Sequence, residues 1–332
     1  GVGEKRSGED GGPSSGENEP GSLESEAARA AFLFDTRFHG PTLSDFEGGS
    51  GVNAGIRQAM PYLREPGYGF QTDRNYVLNA RDSHMEFRGW LKAWLDGAPV
   101  RYADWVAHIK SRHFLASGGP KRRFHMGPGG YHSGQMYPGR LRNEAEVREG
   151  NIQGSPDIAR GVDRWLKASG YAAPPQAGDR FIEISGMSER LAKSGRRLRS
   201  PTFPAAQPFG LIEYPHALDL DLYLELSFEH LSAARQALLK LKSGRGPPRD
   251  LERLLKDPLF DHLADYYHTA ITGHFFHKVN NSMLMPEISS FLEQLGQPPI
   301  PHGALDIVAI RMDYKPFRQY FRHFLRHYLA NR

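Results

Sequence analysis

Leu218-Asp219-Leu220-Asp221-Leu222-Tyr223-Leu224-Glu225-Leu226 alternates leucine with a polar or aromatic residue at every step. A period of two predicts a β-strand with five leucines on one face and Asp219, Asp221 and Glu225 on the other. A second strand is expected at Ala304–Met312, after the turn Pro298–Gly303, and Phe181–Ser185 is short and β-leaning. The remaining pattern is helical. The expected fold is therefore α+β and mostly helical, with a small sheet in the C-terminal half covered by helices.

Helices are expected outward from that sheet in both directions. Ser83, with Glu86 three residues on, opens one that stops at Gly97 and buries Phe87, Leu91, Trp94 and Leu95. Tyr102, Trp105, Val106 and Ile109 form the apolar face of the next, which ends before Gly118 and Gly119. Ser155-Pro156-Asp157 opens a third that stops at Gly170. Leu231, Ala234, Leu238 and Leu241 mark a helix closed by Gly244; Asp257-Pro258 opens a long one to about Val279, and Pro286 another that stops at Gly296. The last starts at Pro316 and carries Phe317, Tyr320, Phe321, Phe324, Leu325 and Tyr328.

The organisation follows from composition. Residues 1–26 hold seven acids against Lys5 and Arg6, with seven glycines and only Val2 and Leu23 as large apolar groups, so they are expected to be a disordered acidic tail. Residues 27–170 read as an N-terminal helical region with long loops, Gly40–Gly69 among them, and residues 171–332 as the C-terminal α+β region. The chain has 332 residues and no cysteine, which removes disulfide scaffolds, thiol nucleophiles and cysteine metal sites. No apolar run approaches the ~18 residues of a membrane span. Gly1 in place of Met suggests a processed chain or a piece of a longer one. An intracellular setting is expected, including an organelle reached through a targeting segment removed ahead of Gly1.

The whole chain carries a net charge of +4. The first 26 residues contribute −5, which leaves about +9 on the body and implies an anionic partner. Two segments concentrate that charge. Ser117–Gly139 mixes Lys121, Arg122 and Arg123 with Phe124 and Tyr131, cations for phosphate or carboxylate and rings for stacking. Arg318, Arg322 and Arg326 recur at i+4 on the final helix, opposite its aromatic face. Like charges at that spacing weaken a helix unless something anionic lies against them.

Two further constellations could carry chemistry. Two residues apart on a strand, Asp219 and Asp221 would point the same way, and Asp306 in the second strand would complete a carboxylate trio for Mg²⁺ or Mn²⁺. This resembles, over these positions only, the Asp-x-Asp strand plus distant Asp of nucleotidyltransferase-fold enzymes. Their Gly-Ser turn ahead of the first strand is replaced here by Pro201–Gly210. Separately, His274 and His277 lie one turn apart on the expected long helix and are placed to share a metal; the same residues also fit ring packing with Tyr266, Tyr267, Phe275 and Phe276.

The expected function is a non-enzymatic accessory or structural subunit of a larger protein or ribonucleoprotein assembly, without a cofactor, docking through basic and aromatic surfaces, with nucleic acid as one such partner. The alternatives are a metal-dependent nucleotidyl- or phosphoryl-transfer enzyme using Asp219, Asp221 and Asp306, and a secreted effector or toxin domain.

Overall fold

Leu218–Leu226 is not a strand. A 3-10 turn, Ala217–Asp219, capped by the His216 ring accepting from Leu218 N, runs directly into a 23-residue helix, Leu220–Lys242. The computed structural model describes residues 74–119, 121–124, 136–145, 151–153, 182–183, 186–200, 205–206, 211–298, 300 and 305–330. In chain order its elements are α1 (Arg74–Leu95), α2 (Tyr102–Ala116), β1 (Asn151–Gln153), β2 (Ile182–Glu183), α3 (Met187–Lys193), β3 (Ala205–Ala206), β4 (Leu211–Glu213), α4 (Leu220–Lys242), α5 (Leu251–Leu255), α6 (Pro258–Gly273), α7 (Asn280–Gln294), α8 (Leu305–Ala309) and α9 (Tyr314–Ala330).

The alternation misleads because the start of α4 is buried over most of its circumference: Leu220, Leu222, Tyr223, Leu224, Leu226 and Ser227 are all inside, while Asp221 is exposed and Leu218, just ahead of the helix, is open to solvent. Leucine is a strong helix former without a β-branch, and no Gly or Pro separates the alternating stretch from the helical one after it, so both join one helix. Ala304–Met312 fails as a strand too, since Leu305–Ala309 is helix. The extended pieces among the described residues are two or three residues long and pair antiparallel in the order β1-β4-β3-β2, with Ile212 between Ile152 and Ala206. The described core is built from helices and the turns between them, so the expected α+β fold with a helix-covered sheet gives way to a helical one.

The centre of that core is α6. Asp257 caps it by accepting from Leu259 N at 2.8 Å, Pro258 fills its first turn, and every residue from Leu263 to Gly273 is buried. It packs against α4, α7, α8 and α9; α1 packs on α2 and α7, and α9 also meets α5. Helices from both sides of residue 170 thus share one core. Trp94, Trp105 and Phe228 form an aromatic junction of α1, α2 and α4, where Arg235 caps the end of α1 by donating to Trp94 O. Inside, Arg112 on α2 donates to Ser83 O, Met283 O and the carboxylate of Glu287 on α7, whose other oxygen accepts from Tyr266.

Several helix ends differ from expectation. Ser83 is not an N-cap but a buried residue inside α1, which begins at Arg74. The long helix stops at Gly273 because His274 turns left-handed, and Pro286 lies within α7 instead of opening it. The acidic tail, the Gly40–Gly69 loop and the Ser155–Gly170 helix lie outside the described residues. Among the described residues no helix is long and apolar enough to cross a membrane.

Candidate functional site

The last helix places Phe317, Phe321, Phe324 and Leu325 in the core and its arginines along the opposite edge. Successive arginines, four residues apart, step along the axis by about 6 Å. Each meets an acceptor on a neighbouring helix. Arg318 forms a bidentate pair with Asp265 on α6; Arg322 donates to Leu255 O at 2.6 Å and to Asp261 on α6 at 2.5 Å; Arg326 pairs with Glu252 on α5. The anion that the i+4 spacing demands is therefore supplied by the chain itself, and the stripe zips α9 onto α5 and α6.

Asp265 is the node of this seam, with its side chain 4% exposed. It accepts from Arg318 Nε at 2.8 Å and Nη2 at 2.7 Å, and lies near His230, whose Nδ1 is 4.0 Å away. Arg190 on α3 completes the group by donating to His230 Nε2 at 2.6 Å and to Thr269 Oγ1. Burial and the positive charges of Arg190 and Arg318 push His230 down to about 3, so it is neutral at physiological pH. Arg190, Lys315 and Arg318 also surround the Tyr314 ring at 4.7, 5.7 and 5.6 Å.

Outside this seam lies an open groove of about 470 Å³ lined by Lys315, Arg318, Gln319, Arg322 and Arg326, with Asp261 as its carboxylate. Every arginine in it keeps donors beyond those spent on the seam. Arg318 Nη1, Arg322 Nη2 and both terminal nitrogens of Arg326 have no hydrogen-bond partner among the described residues. Such a groove can bind carboxylates or other oxyanions by charge-assisted hydrogen bonds.

The other expected site residues are not brought together. Arg122 pairs with Asp82 at 2.6 Å, Lys121 and Arg123 are at the surface, and Phe124 is 2% exposed with its ring edge-on to Tyr76, so it is core and offers no stacking face. Tyr131 lies outside the described residues. Asp219 uses both carboxylate oxygens on backbone, accepting from Arg199 N at 2.6 Å and Ser200 N at 3.0 Å. Asp221 is exposed in the first turn of α4, and Asp306 lies on α8 near the buried rings of Tyr76, Tyr214 and Tyr267. The trio needed a strand to aim its acids together, and on a helix residues two apart diverge. Among the described residues no group of three or more His, Asp or Glu is placed to hold a metal.

His274 and His277 do not share a cation. The Nδ1 of His274 accepts from Asn280 at 3.2 Å and its Nε2 donates to His277 O at 3.1 Å, while its ring stacks on Tyr214. Both nitrogens are spent, and burial holds the ring neutral well below its ordinary range.

Sequence reasoning found the arginine stripe but missed Asp265, Arg190 and Lys315. Asp265 did leave a signal: an acid between Ala264 and Tyr266 in an otherwise apolar helix needs a buried partner. No protein-family model matches the chain, and neither a characterised protein nor a solved structure is similar to it.

Proposed function

We propose that this chain is a non-enzymatic accessory subunit of a larger assembly, docking through the α9 groove onto an acidic protein surface. The observation that carries the reading is the surplus of guanidinium donors along one open groove. A lone phosphate chain would favour an unbroken positive lining, whereas Asp261 and Gln319 among the cations suit the mixed carboxylate and amide surface of a protein. The burial of Phe124 removes the described ring that base stacking would have used.

Lys315 and Arg326 are the residues to reverse, because their own partners, Glu189 and Glu252, are exposed and the fold gains little from either pair. Size-exclusion of native extract at low salt should place the wild-type chain in a larger complex that survives nuclease and dissociates as salt rises. Lys315→Glu with Arg326→Glu should elute near the mass of the free chain, 37.3 kDa. A wild-type chain that already elutes at that mass defeats the reading, and collapse of the complex on nuclease treatment transfers it to nucleic acid.

A further inference from the structure

The seam between α9 and its neighbours leaves a row of unspent donors along one open groove. Arg318, Arg322 and Arg326 step by about 6 Å, so the row runs for about 12 Å, with Lys315 just ahead of it on the same helix. Asp261 is the carboxylate in the lining, while Asp265 is enclosed behind Arg318 with its side chain 4% exposed, so a ligand entering the groove meets mostly positive charge.

The dimensions favour an extended ligand. A helix ~10 Å across would fill about 900 Å³ over that 12 Å run, roughly twice the groove's own volume of about 470 Å³. An extended chain is thinner, and it places alternate side chains on one face about 7 Å apart, close to the arginine step. The ligand that fits is an extended segment with acids two residues apart.

The chain's own sequence contains that pattern. Glu17-Asn18-Glu19 and Glu24-Ser25-Glu26 each place two acids around one uncharged residue. Pro20 biases Glu19 ahead of it toward an extended backbone. Lys5 and Arg6 are the cations among the first 26 residues, so no cation of that stretch lies between Glu17 and Glu26. The 47 residues from Ala27 to Asp73 can span at most about 150 Å, several times the width of a domain of this size, so covalent reach excludes no face of the protein.

We propose that Glu17–Glu26 occupies the α9 groove of its own chain until an acidic partner displaces it. This rests on the reading of the groove as a carboxylate site. Each glutamate pair accepts from the outward nitrogens of two successive arginines, and the segment thereby competes with the partner for the same donors.

The test titrates a fluorescein-labelled peptide of residues 15–28 at low salt, by anisotropy, with the full wild-type chain and with the full chain carrying Glu17→Gln, Glu19→Gln, Glu24→Gln and Glu26→Gln. A tether that holds the segment at ~1 mM should weaken wild-type binding about ten-fold relative to the Gln variant, for a peptide Kd near ~100 μM. Adding Lys315→Glu and Arg326→Glu to the Gln variant should abolish binding. Equal affinity of both chains for the peptide overturns the intramolecular contact and leaves the groove as a partner site. A wild-type chain that dimerises while the Gln variant stays monomeric places the segment in a second copy, which also overturns it. Poly-glutamate separates the two remaining failures. If it binds the Gln variant and the peptide does not, the segment is wrong and the carboxylate site stands; if neither binds, the carboxylate site falls as well.

Discussion

Arg318 and Asp265 meet through two parallel hydrogen bonds of 2.8 and 2.7 Å, the carboxylate enclosed by protein and the guanidinium 37% open to the α9 groove. The pair joins two tasks in one side chain. Its inner edge satisfies a buried charge, and its outer nitrogen faces whatever enters the groove.

Arg318→Gln should therefore cost about 2–3 kcal/mol in urea unfolding, because it leaves Asp265 without its bidentate donor. Arg326→Gln, two turns on, removes an exposed pair and should cost under about 1 kcal/mol. Equal losses would show that Asp265 is satisfied without Arg318.

Arg112 and Glu287 are 0% and 1% exposed. Arg112→Ala should destabilise by about 3–5 kcal/mol, since a bare carboxylate remains in the core. Arg112→Met together with Glu287→Leu should recover much of that loss, because apolar residues of similar volume can replace a buried ion pair. Chemical denaturation of the two variants side by side checks both.

Two glycines should respond in opposite directions. At Gly118, φ is +84° and a Cβ would lie 2.1 Å from the backbone oxygen of Arg122, so Gly118→Ala must shift the chain and should lower the melting temperature by several degrees. Gly89 lies inside α1 with nothing within 4 Å of its Cβ position, and Gly89→Ala should add about 0.5–1 kcal/mol.

Acid should unfold the protein through its histidines. Burial pushes His108, His113 and His230 down to about 3 and His84 and His268 to about 4. A histidine whose folded pKa is depressed binds its proton only on unfolding, so stability is full above about pH 6.5 and falls as pH drops toward 4. Each contributes about 1.4 kcal/mol per pH unit within that window. Calorimetry at pH 5 should record uptake of about six protons on unfolding, one for each of these five histidines and one for His274, whose ring burial also holds neutral, and a melting temperature constant from pH 7 to 5 would contradict these environments.

Asp219→Ala should cost about 1.5–3 kcal/mol by stripping the amides of Arg199 and Ser200 of a charged acceptor. Asp221→Ala, at the exposed start of α4, should change stability by less than about 0.5 kcal/mol. Parallel thermal melts of the two variants discriminate this role from a shared one.

Helix boundaries were legible where one residue type has one conformational use. Gly97, Gly118, Gly244 and Gly296 all take positive φ just past the ends of α1, α2, α4 and α7, and Asp257-Pro258 starts α6 as capping chemistry requires. Burial defeated the rest. Period-two alternation reports a strand only when its other face is wet, and on α4 Tyr223 is as deeply buried as Leu224. The arginine stripe was visible in the i+4 spacing, but its acceptors lie 53 to 74 residues away, on helices whose packing no local pattern encodes.

The buried link between Arg112 and Glu287 spans 175 positions, so the N-terminal helical hairpin and the later helices carry complementary halves of one salt bridge. A chain severed between α2 and α3 yields two pieces, each with a stranded charge on its sticky face. Neither piece is a shelf-stable product alone, and co-expressed they are built for fragment complementation, reassembling around a contact that only the correct mate can neutralise.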